Sequence, residues 1–157
     1  MRVHIATDHA GMELSSHLIS HLRAAGHDVH DHGPQSYDPQ DDYPRFCINA
    51  AKAVAGDIEA GLYALGIVLG GSGNGEQIAA NKVCGIRAAL IWSTDTARLA
   101  RQHNDANVAA LGGRQHSLGE ATTLVDVFLA EPFSGDERHE RRIEQIAEFE
   151  MTGQVAE

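Results

Sequence analysis

The chain is poor in cysteine and in positive charge. Its 157 residues include two cysteines, Cys47 and Cys84, and no C-x-x-C pair. Two cysteines cannot form the disulfide framework of a small secreted domain, so we expect free thiols, buried or half-buried, in a reducing compartment. Twelve Lys and Arg against 22 Asp and Glu give a formal charge of −10. Nucleic acids and anionic membranes are therefore disfavoured as general partners, because both need excess positive charge.

Long apolar runs are also missing. No stretch approaches the roughly 20 residues of a membrane helix. Residues Met1 to Thr7 lack the charged and apolar segments of a signal peptide. We therefore expect a cytoplasmic protein with no membrane partner. A hydrophobic content of 43% in a chain of this length predicts a single folded domain, residues 1–157.

Short apolar segments alternate with segments of helical periodicity. Strands are predicted at 3–7, around 29, and at 65–69, 86–91 and 108–111. Helices are predicted from Gly11 to Gly26, from Pro44 to about Ala55, from near Glu76 to Ala80, from Ser93 or Thr94 to Asn104, at about 118–129, and after a Ser134-x-x-Glu137 capping box. Repeated strand–helix units predict an α/β fold with a parallel sheet covered on both faces. Ligands of such sheets bind beyond the carboxyl ends of the strands, at a topological switch point.

A glycine-rich loop follows the predicted third strand. Four of the six residues from Gly70 to Gly75 are glycine, which lets successive N–H groups turn inward to bind an anion. The Lys-Ser/Thr of a P-loop is absent, and Glu76 stands where a dinucleotide fingerprint needs its third glycine. The alternative is a turn that only allows close packing.

Glu76 is a candidate general base beside this loop. A base next to oxyanion-binding amides is what proton abstraction next to a carbonyl requires. The alternative interpretation is an acidic residue that only interacts with the positive end of its helix.

Polar residues at other strand and helix ends are candidate ligands. Asp8 and His9 end the first strand, Arg114 follows two glycines after the fifth, and His103 and Asn104 end the fourth helix. Each also has an ordinary interpretation: a capping aspartate, a surface arginine, or a histidine stabilised at a helix C-terminus.

Two arginines of the last helix adjoin its apolar stripe. At ~100° per residue, Arg138 and Arg142 lie beside the stripe of His139, Ile143 and Ile146, away from the glutamates of this helix. Arginines that contact only solvent would be interspersed with the glutamates. Arg138 and Arg142 are therefore predicted to bind an anion.

A histidine-rich run, His27 to His32, has some appearance of a metal site. In a strand, His30 and His32 would share a face, but no third ligand is indicated. A solvated strand edge is favoured, and no metal site is predicted.

These motifs resemble those of type B ribose-5-phosphate isomerases, within a wider family of aldose–ketose isomerases of sugar phosphates. The resemblance covers residues 1–149 and rests on Asp8-His9-Ala10-Gly11, Gly70 to Lys82, Arg101 to Asn107, Leu111 to Arg114, and Arg138-His139-x-x-Arg142. It implies a three-layer α/β/α sandwich with a five-stranded parallel, Rossmann-like sheet and a C-terminal helix. It also implies no metal, no cofactor, and a homodimer with shared active sites, sometimes paired into tetramers.

The resemblance further implies an activity, the interconversion of ribose 5-phosphate and ribulose 5-phosphate by an intramolecular oxidoreductase. Glu76 would move a proton between C2 and C1 through a cis-enediolate. The enediolate would be stabilised by Ser72 and the loop residues Gly71, Gly73, Asn74 and Gly75. Asp8 and His103 would handle sugar hydroxyls and Asn104 would hold the sugar, with His103 and Asn104 coming from the partner subunit. The phosphate would be bound by His9, Arg114, Arg138 and Arg142.

One branch of the family has a cysteine base at the position of Gly70, whereas the glycine and Glu76 here match the other branch. Two alternatives stay open. The substrate could be allose 6-phosphate, galactose 6-phosphate or a tetrulose 4-phosphate, or the chain could be a flavodoxin-like ligand-binding module without catalysis.

Overall fold

The computed structural model describes residues 1–155, which form five strands and six α-helices in alternation. The strands are β1 (Arg2–Thr7), β2 (Asp28–Asp31), β3 (Ala64–Gly70), β4 (Ala88–Leu90) and β5 (Val108–Gly112). The helices are α1 (Met12–Ala24), α2 (Tyr43–Glu59), α3 (Asn74–Ala80), α4 (Thr94–Asn104), α5 (Leu118–Ala130) and α6 (Glu137–Thr152). A 3-10 turn, His9–Gly11, joins β1 to α1.

All five strands are parallel, in the order β2-β1-β3-β5-β4. The chain moves from β1 outward to β2 and then returns to β3 on the other side of β1. The switch point of the sheet therefore lies between β1 and β3.

Alternate residues of each strand point to two separate apolar layers. Val3 and Ile5 of β1 pack with α1, α4 and α5 on one face, whereas Ala6 packs with α2 and α3 on the other. This arrangement confirms the expected three-layer α/β/α sandwich with a five-stranded parallel sheet.

Two predicted boundaries are wrong, the end of the second helix and the extent of the fourth strand. Helix α2 passes Gly56 and ends at Glu59, shortly before Gly61 adopts a left-handed φ of 78°. Strand β4 is shorter than 86–91. The backbone of Ala88 in β4 is hydrogen-bonded by Asn81, which directly follows α3. Asn81 Oδ1 accepts from the Ala88 N–H at 2.8 Å, and Asn81 Nδ2 donates to the Ala88 carbonyl at 2.9 Å.

Of the two serines predicted near helix starts, only one caps a helix. Ser93 caps α4 and forms a capping box with Thr96, which confirms one of the two predicted starts. The predicted box of Ser134 and Glu137 is wrong, because Gly135 has a left-handed φ of 68° that a helix cannot include. Ser134 Oγ instead accepts from the Asp136 N–H at 3.2 Å, and the helix starts at Glu137.

Two expectations about burial are corrected. Cys47 is a buried free thiol as expected, but Cys84 is exposed. The predicted solvated edge holds for His30 and is wrong for His32, which is half-buried with its Nε2 2.8 Å from His4 Nδ1. Within residues 1–155, no helix combines the length and the apolar character needed to cross a membrane.

Candidate active site

A cavity of about 610 Å³ opens at the switch point, beyond the carboxyl ends of β1 and β3. Most of the residues predicted from the first half of the sequence line it together with Arg114: Asp8, His9, Gly71, Ser72, Gly75 and Glu76. Gly73 and Asn74 belong to the same loop, and Asn74 faces a neighbouring cavity that Ser72 also lines. The sheet topology thus brings together groups from three separate parts of the sequence.

Hydrogen bonds between two loops place Arg114 beside the glycine loop. The Gly113 N–H donates to the Gly70 carbonyl at 2.7 Å, and the Arg114 N–H donates to the Gly71 carbonyl at 3.2 Å. A Cβ added to Gly71 would lie 3.6 Å from Arg114 Nη1, so the guanidinium passes close to the loop. Gly73 has a left-handed φ of 85°, which a residue with a side chain rarely adopts. Glycine-loop amides beside a guanidinium are the kind of donors that bind anions in proteins.

The Glu76 side chain lies in the first turn of α3 and is only 4% exposed. It fills the space beside Gly70, where a Cβ would overlap the Glu76 carboxyl group. Burial raises the pKa of Glu76, and the negative charge of Asp8 adds to this effect. Hydrogen bonds from the backbone of Glu76 and Gly73 partly offset it. A carboxylate with a raised pKa is a stronger base, as a proton-abstracting group requires.

Asp8 and His9 are fixed by hydrogen bonds at the end of β1. Asp8 Oδ1 accepts from the Ala10 N–H at 2.9 Å and caps the 3-10 turn. His9 Nδ1 lies 2.6 Å from Asp41 Oδ1. Within residues 1–155, Asp8, His9 and Asp41 are the one group whose potential metal-ligand atoms all lie within 4.8 Å of one another. In the present arrangement the nearest of these atoms are joined by the hydrogen bond between His9 and Asp41.

The other predicted ligands form a second group on α4 and α6. The rings of His103 and His139 are stacked, with centroids 4.3 Å apart, and Arg138 Nε lies 3.3 Å from His139 Nε2. Burial lowers the pKa of His139, with His103 and Arg138 adding to the effect. In the described part of the chain, the group comprising His103, Asn104, Arg138, His139 and Arg142 does not line the cavity that contains Glu76.

Three polar residues at the site were missed from sequence. Tyr43 and Gln115 line the cavity, and Asp41 bonds to His9. Tyr43 is the first residue of α2 and lies so close to Gly75 that a Cβ there would be 2.6 Å from the Tyr43 oxygen. A helix that follows a parallel strand begins at the carboxyl edge of the sheet, where ligands bind. Because Pro44 marked the predicted start of the second helix, Tyr43 could have been predicted to lie at this edge. Asp41 lies between the predicted second strand and second helix, in a segment for which no site residue was predicted.

The fold and the site define a class, an α/β protein with a buried glutamate beside a glycine-rich loop at the switch point of its sheet. Comparison with known proteins identifies the family. A model of the ribose/galactose isomerase family matches residues 3–146. The chain belongs to this family, and the resemblance recognised from the motifs is confirmed.

Similar proteins agree with this assignment over nearly the whole chain. Ribose-5-phosphate isomerase B of Mycobacterium leprae (strain TN) is 55% identical over 155 residues, covering 99% of this chain and 93% of the relative. The crystal structure of ribose-5-phosphate isomerase B from Mycoplasma genitalium with bound ribulose-5-phosphate has a TM-score of 0.91 and 41% identity, covering 96% of this chain and 97% of that one. A ribose-5-phosphate isomerase B structure from Clostridium thermocellum has a TM-score of 0.89 and 39% identity, covering 98% of this chain and all of that one.

Proposed function

We propose that this chain interconverts ribose 5-phosphate and ribulose 5-phosphate through a cis-enediolate, with Glu76 as the base. The observation that carries the proposal is the buried Glu76 carboxylate, which has a raised pKa and lines the same cavity as the glycine loop. The relatives support the choice of substrate, since the Mycoplasma genitalium enzyme is described with bound ribulose-5-phosphate.

In the proposed reaction, the carboxylate of Glu76 takes the proton from C2 of the open-chain aldose and returns it to C1. The electron pair left on C2 forms the C1–C2 double bond, and the carbonyl π pair moves to O1, which becomes negatively charged. The N–H groups of Gly71 to Gly75 and the Ser72 hydroxyl stabilise this oxygen, as preorganised donors do in oxyanion holes. To form the ketose, a proton must also move from the C2 hydroxyl to O1 as the carbonyl forms at C2. Asp8, which lines the same cavity, holds a sugar hydroxyl.

The phosphate is proposed to bind on the side of His9 and Arg114. The chain has a charge of −10, so it needs a local group of cations to bind a dianion. Arg114 and His9 line the cavity, while the glutamates of α6, including Glu140 and Glu144, are exposed elsewhere. The acidic residues of α6 therefore lie outside the cavity, whose own lining carboxylates are Asp8 and Glu76.

We propose that the site is completed by a second copy of the chain in a homodimer. Such dimers sometimes pair into tetramers in this family. His103, Asn104, Arg138 and Arg142 lie outside the cavity of their own chain, so they are available to the site of another. Helix α6 also leaves Phe149 51% exposed, beside a cavity of about 600 Å³ that apolar side chains of β4 line. An exposed apolar surface of this kind is typical of an interface. A cytoplasmic location is proposed as well, consistent with two free thiols.

The proposal is tested by assaying sugar phosphates for aldose–ketose conversion. We expect ribose 5-phosphate to have the highest kcat/KM among ribose 5-phosphate, allose 6-phosphate, galactose 6-phosphate and a tetrulose 4-phosphate. Preference for another sugar would move the assignment within the family. Absence of conversion with every sugar would leave a ligand-binding module and refute the proposal.

Glu76→Gln tests the base directly. This variant keeps the shape of the side chain and removes the proton acceptor, so we expect kcat to fall by about 10²- to 10⁴-fold. The matched control is Glu13→Gln, because Glu13 is an exposed glutamate in the first turn of α1. Near-normal turnover of Glu76→Gln with normal folding would refute the assignment of the base.

A further inference from the structure

The loop between β2 and α2 contributes a buried carboxylate to the active site. The Asp41 side chain is 1% exposed, although the loop itself lies at the surface. Its Oδ1 accepts two hydrogen bonds from one residue, from the His9 backbone N–H at 3.0 Å and from His9 Nδ1 at 2.6 Å. Asp41 thus holds both the backbone and the ring of His9.

The conformation of this loop supports the contact. The Asp41 N–H donates to the Asp38 carbonyl at 3.1 Å, which turns the chain back before α2 begins. The Tyr37 ring meets the His9 ring edge-on, with centroids 6.2 Å apart. His9 therefore has two neighbours from a loop that is about thirty residues away in sequence.

The chemistry of the pair fixes which ring nitrogen is available. An ionised carboxylate only accepts hydrogen bonds, so Nδ1 of His9 must carry the proton in this contact. The other ring nitrogen, Nε2, is left for a ligand in the cavity that His9 lines. A carboxylate behind a histidine orients the ring and stabilises its positively charged form when an anion contacts the opposite nitrogen.

The remaining oxygen of Asp41 strengthens this interpretation. Oδ2 is buried and has no hydrogen-bond partner within residues 1–155. A buried carboxylate with an unbonded oxygen is costly unless a positive charge lies next to it. The two hydrogen bonds from His9 to Oδ1 are the contacts that compensate the burial of this carboxylate.

We propose that Asp41 is a positioning residue that holds the His9 ring toward the phosphate group of the substrate. The proposal rests on the proposed function, because it takes a phosphorylated sugar as the ligand. Asp41 does not touch the reacting carbons in this scheme. Its effect is therefore expected on phosphate binding and on KM, and only weakly on kcat.

The experiment compares Asp41→Ala, Asp41→Asn and the control Asp42→Asn. Asp42 is the neighbouring carboxylate, is exposed, and makes no side-chain capping bond to α2. Loss of a charge-assisted hydrogen bond predicts that Asp41→Ala raises KM by about 10- to 100-fold with kcat changed less than about threefold. Asp41→Asn keeps an oxygen acceptor but loses the charge, so an intermediate increase is expected. Asp42→Asn should match the wild type.

Binding of inorganic phosphate, measured by calorimetry, provides a readout that does not depend on turnover. We expect affinity to fall in both Asp41 variants and to stay unchanged in Asp42→Asn. Equal phosphate affinity and equal KM in Asp41→Asn and wild type would overturn the proposal. If the wild type prefers another phosphosugar, the proposed substrate fails while the phosphate measurement still decides the role of Asp41.

A double-mutant cycle separates positioning from a merely structural role. If Asp41 acts through His9, then Asp41→Ala has little further effect on KM or phosphate affinity in the His9→Ala background. An undiminished effect in that background would show that Asp41 supports the loop independently of His9, and would overturn the proposal.

Discussion

Replacement of Gly70 by alanine is expected to displace the carboxylate of Glu76, the proposed base, without altering it chemically. An added Cβ would overlap Oε1 and Cδ of Glu76 and would lie 2.9 Å from Oε2. Since non-bonded carbon atoms pack at roughly 3.5 Å or more, the carboxyl group must move by about 1 Å or more. A misplacement of about 1 Å can cost about 100-fold in rate, which corresponds to ~2.7 kcal/mol in the activation free energy.

The assay is steady-state isomerisation by Gly70→Ala, with thermal unfolding to confirm that the variant folds. Gly56→Ala is the control, because a Cβ at Gly56 in α2 would meet no atom within 4 Å. We expect kcat/KM to fall about 100-fold for Gly70→Ala, and the fall to shrink strongly in the Glu76→Gln background, where no base remains to be displaced. Wild-type activity in Gly70→Ala, or an equal fall in both backgrounds, would refute the reasoning.

Two further predictions concern stability. Burial raises the folded-state pKa of Glu76 above its ordinary value of 4.5. The protonated carboxyl group therefore stabilises the folded state below pH 4.5, and this contribution is lost as pH rises through the folded-state pKa. Glu76→Gln should therefore raise Tm by a few degrees at neutral pH, at about 2–4 °C per kcal/mol. The gain should narrow in acid, and an equal gain at both pH values would contradict the buried-charge explanation. Ser93→Ala should cost about 1 kcal/mol in chemical denaturation because it removes the cap of α4, whereas Ser134→Ala should cost much less because Ser134 caps no helix. Equal losses would contradict this assignment of the caps.

The overlap between a side chain at position 70 and the Glu76 carboxyl group also gives a physical reason for the two branches expected of the family. The space of a side chain at position 70 is occupied here by the Glu76 carboxyl group. A cysteine base at 70 and a glutamate base at 76 therefore compete for one place beside the loop. Cys47 does not replace such a base, because burial and the negative charges of Glu76 and Asp8 raise the pKa of its thiol.

Much of the fold follows from local sequence patterns. Each of the predicted strands and helices exists, because apolar periodicity is a property of a few consecutive turns or residues. Their ends were less predictable. Ser93 and Ser134 both begin serine motifs, but only Ser93 caps a helix, since Gly135 takes a left-handed conformation that the sequence permits without requiring.

The site residues likewise include some that could be proposed from sequence and others that only the fold brings together. Glu76 could be proposed as a base from sequence because it and the glycine loop are adjacent in the chain. Asp41 could not, because its partner His9 is 32 residues away and only the path of the β2–α2 loop brings them together. Tyr43 likewise reaches the cavity only because α2 packs beside α3.

By itself, the sequence determined the parallel α/β architecture and placed the glycine-rich loop next to Glu76, the proposed base, since these depend on short-range periodicity and spacing. The tertiary structure decided which of the remaining polar residues share one cavity. It joined Asp8, His9 and Arg114 to Glu76 and kept Arg138 and Arg142 of α6 with the second group. The physical reason is the strand order, which places the ends of β1, β3 and β5 side by side while α4 and α6 pack elsewhere. A charge of −10 is thus compatible with an anion site, because what matters is which few cations the fold brings together.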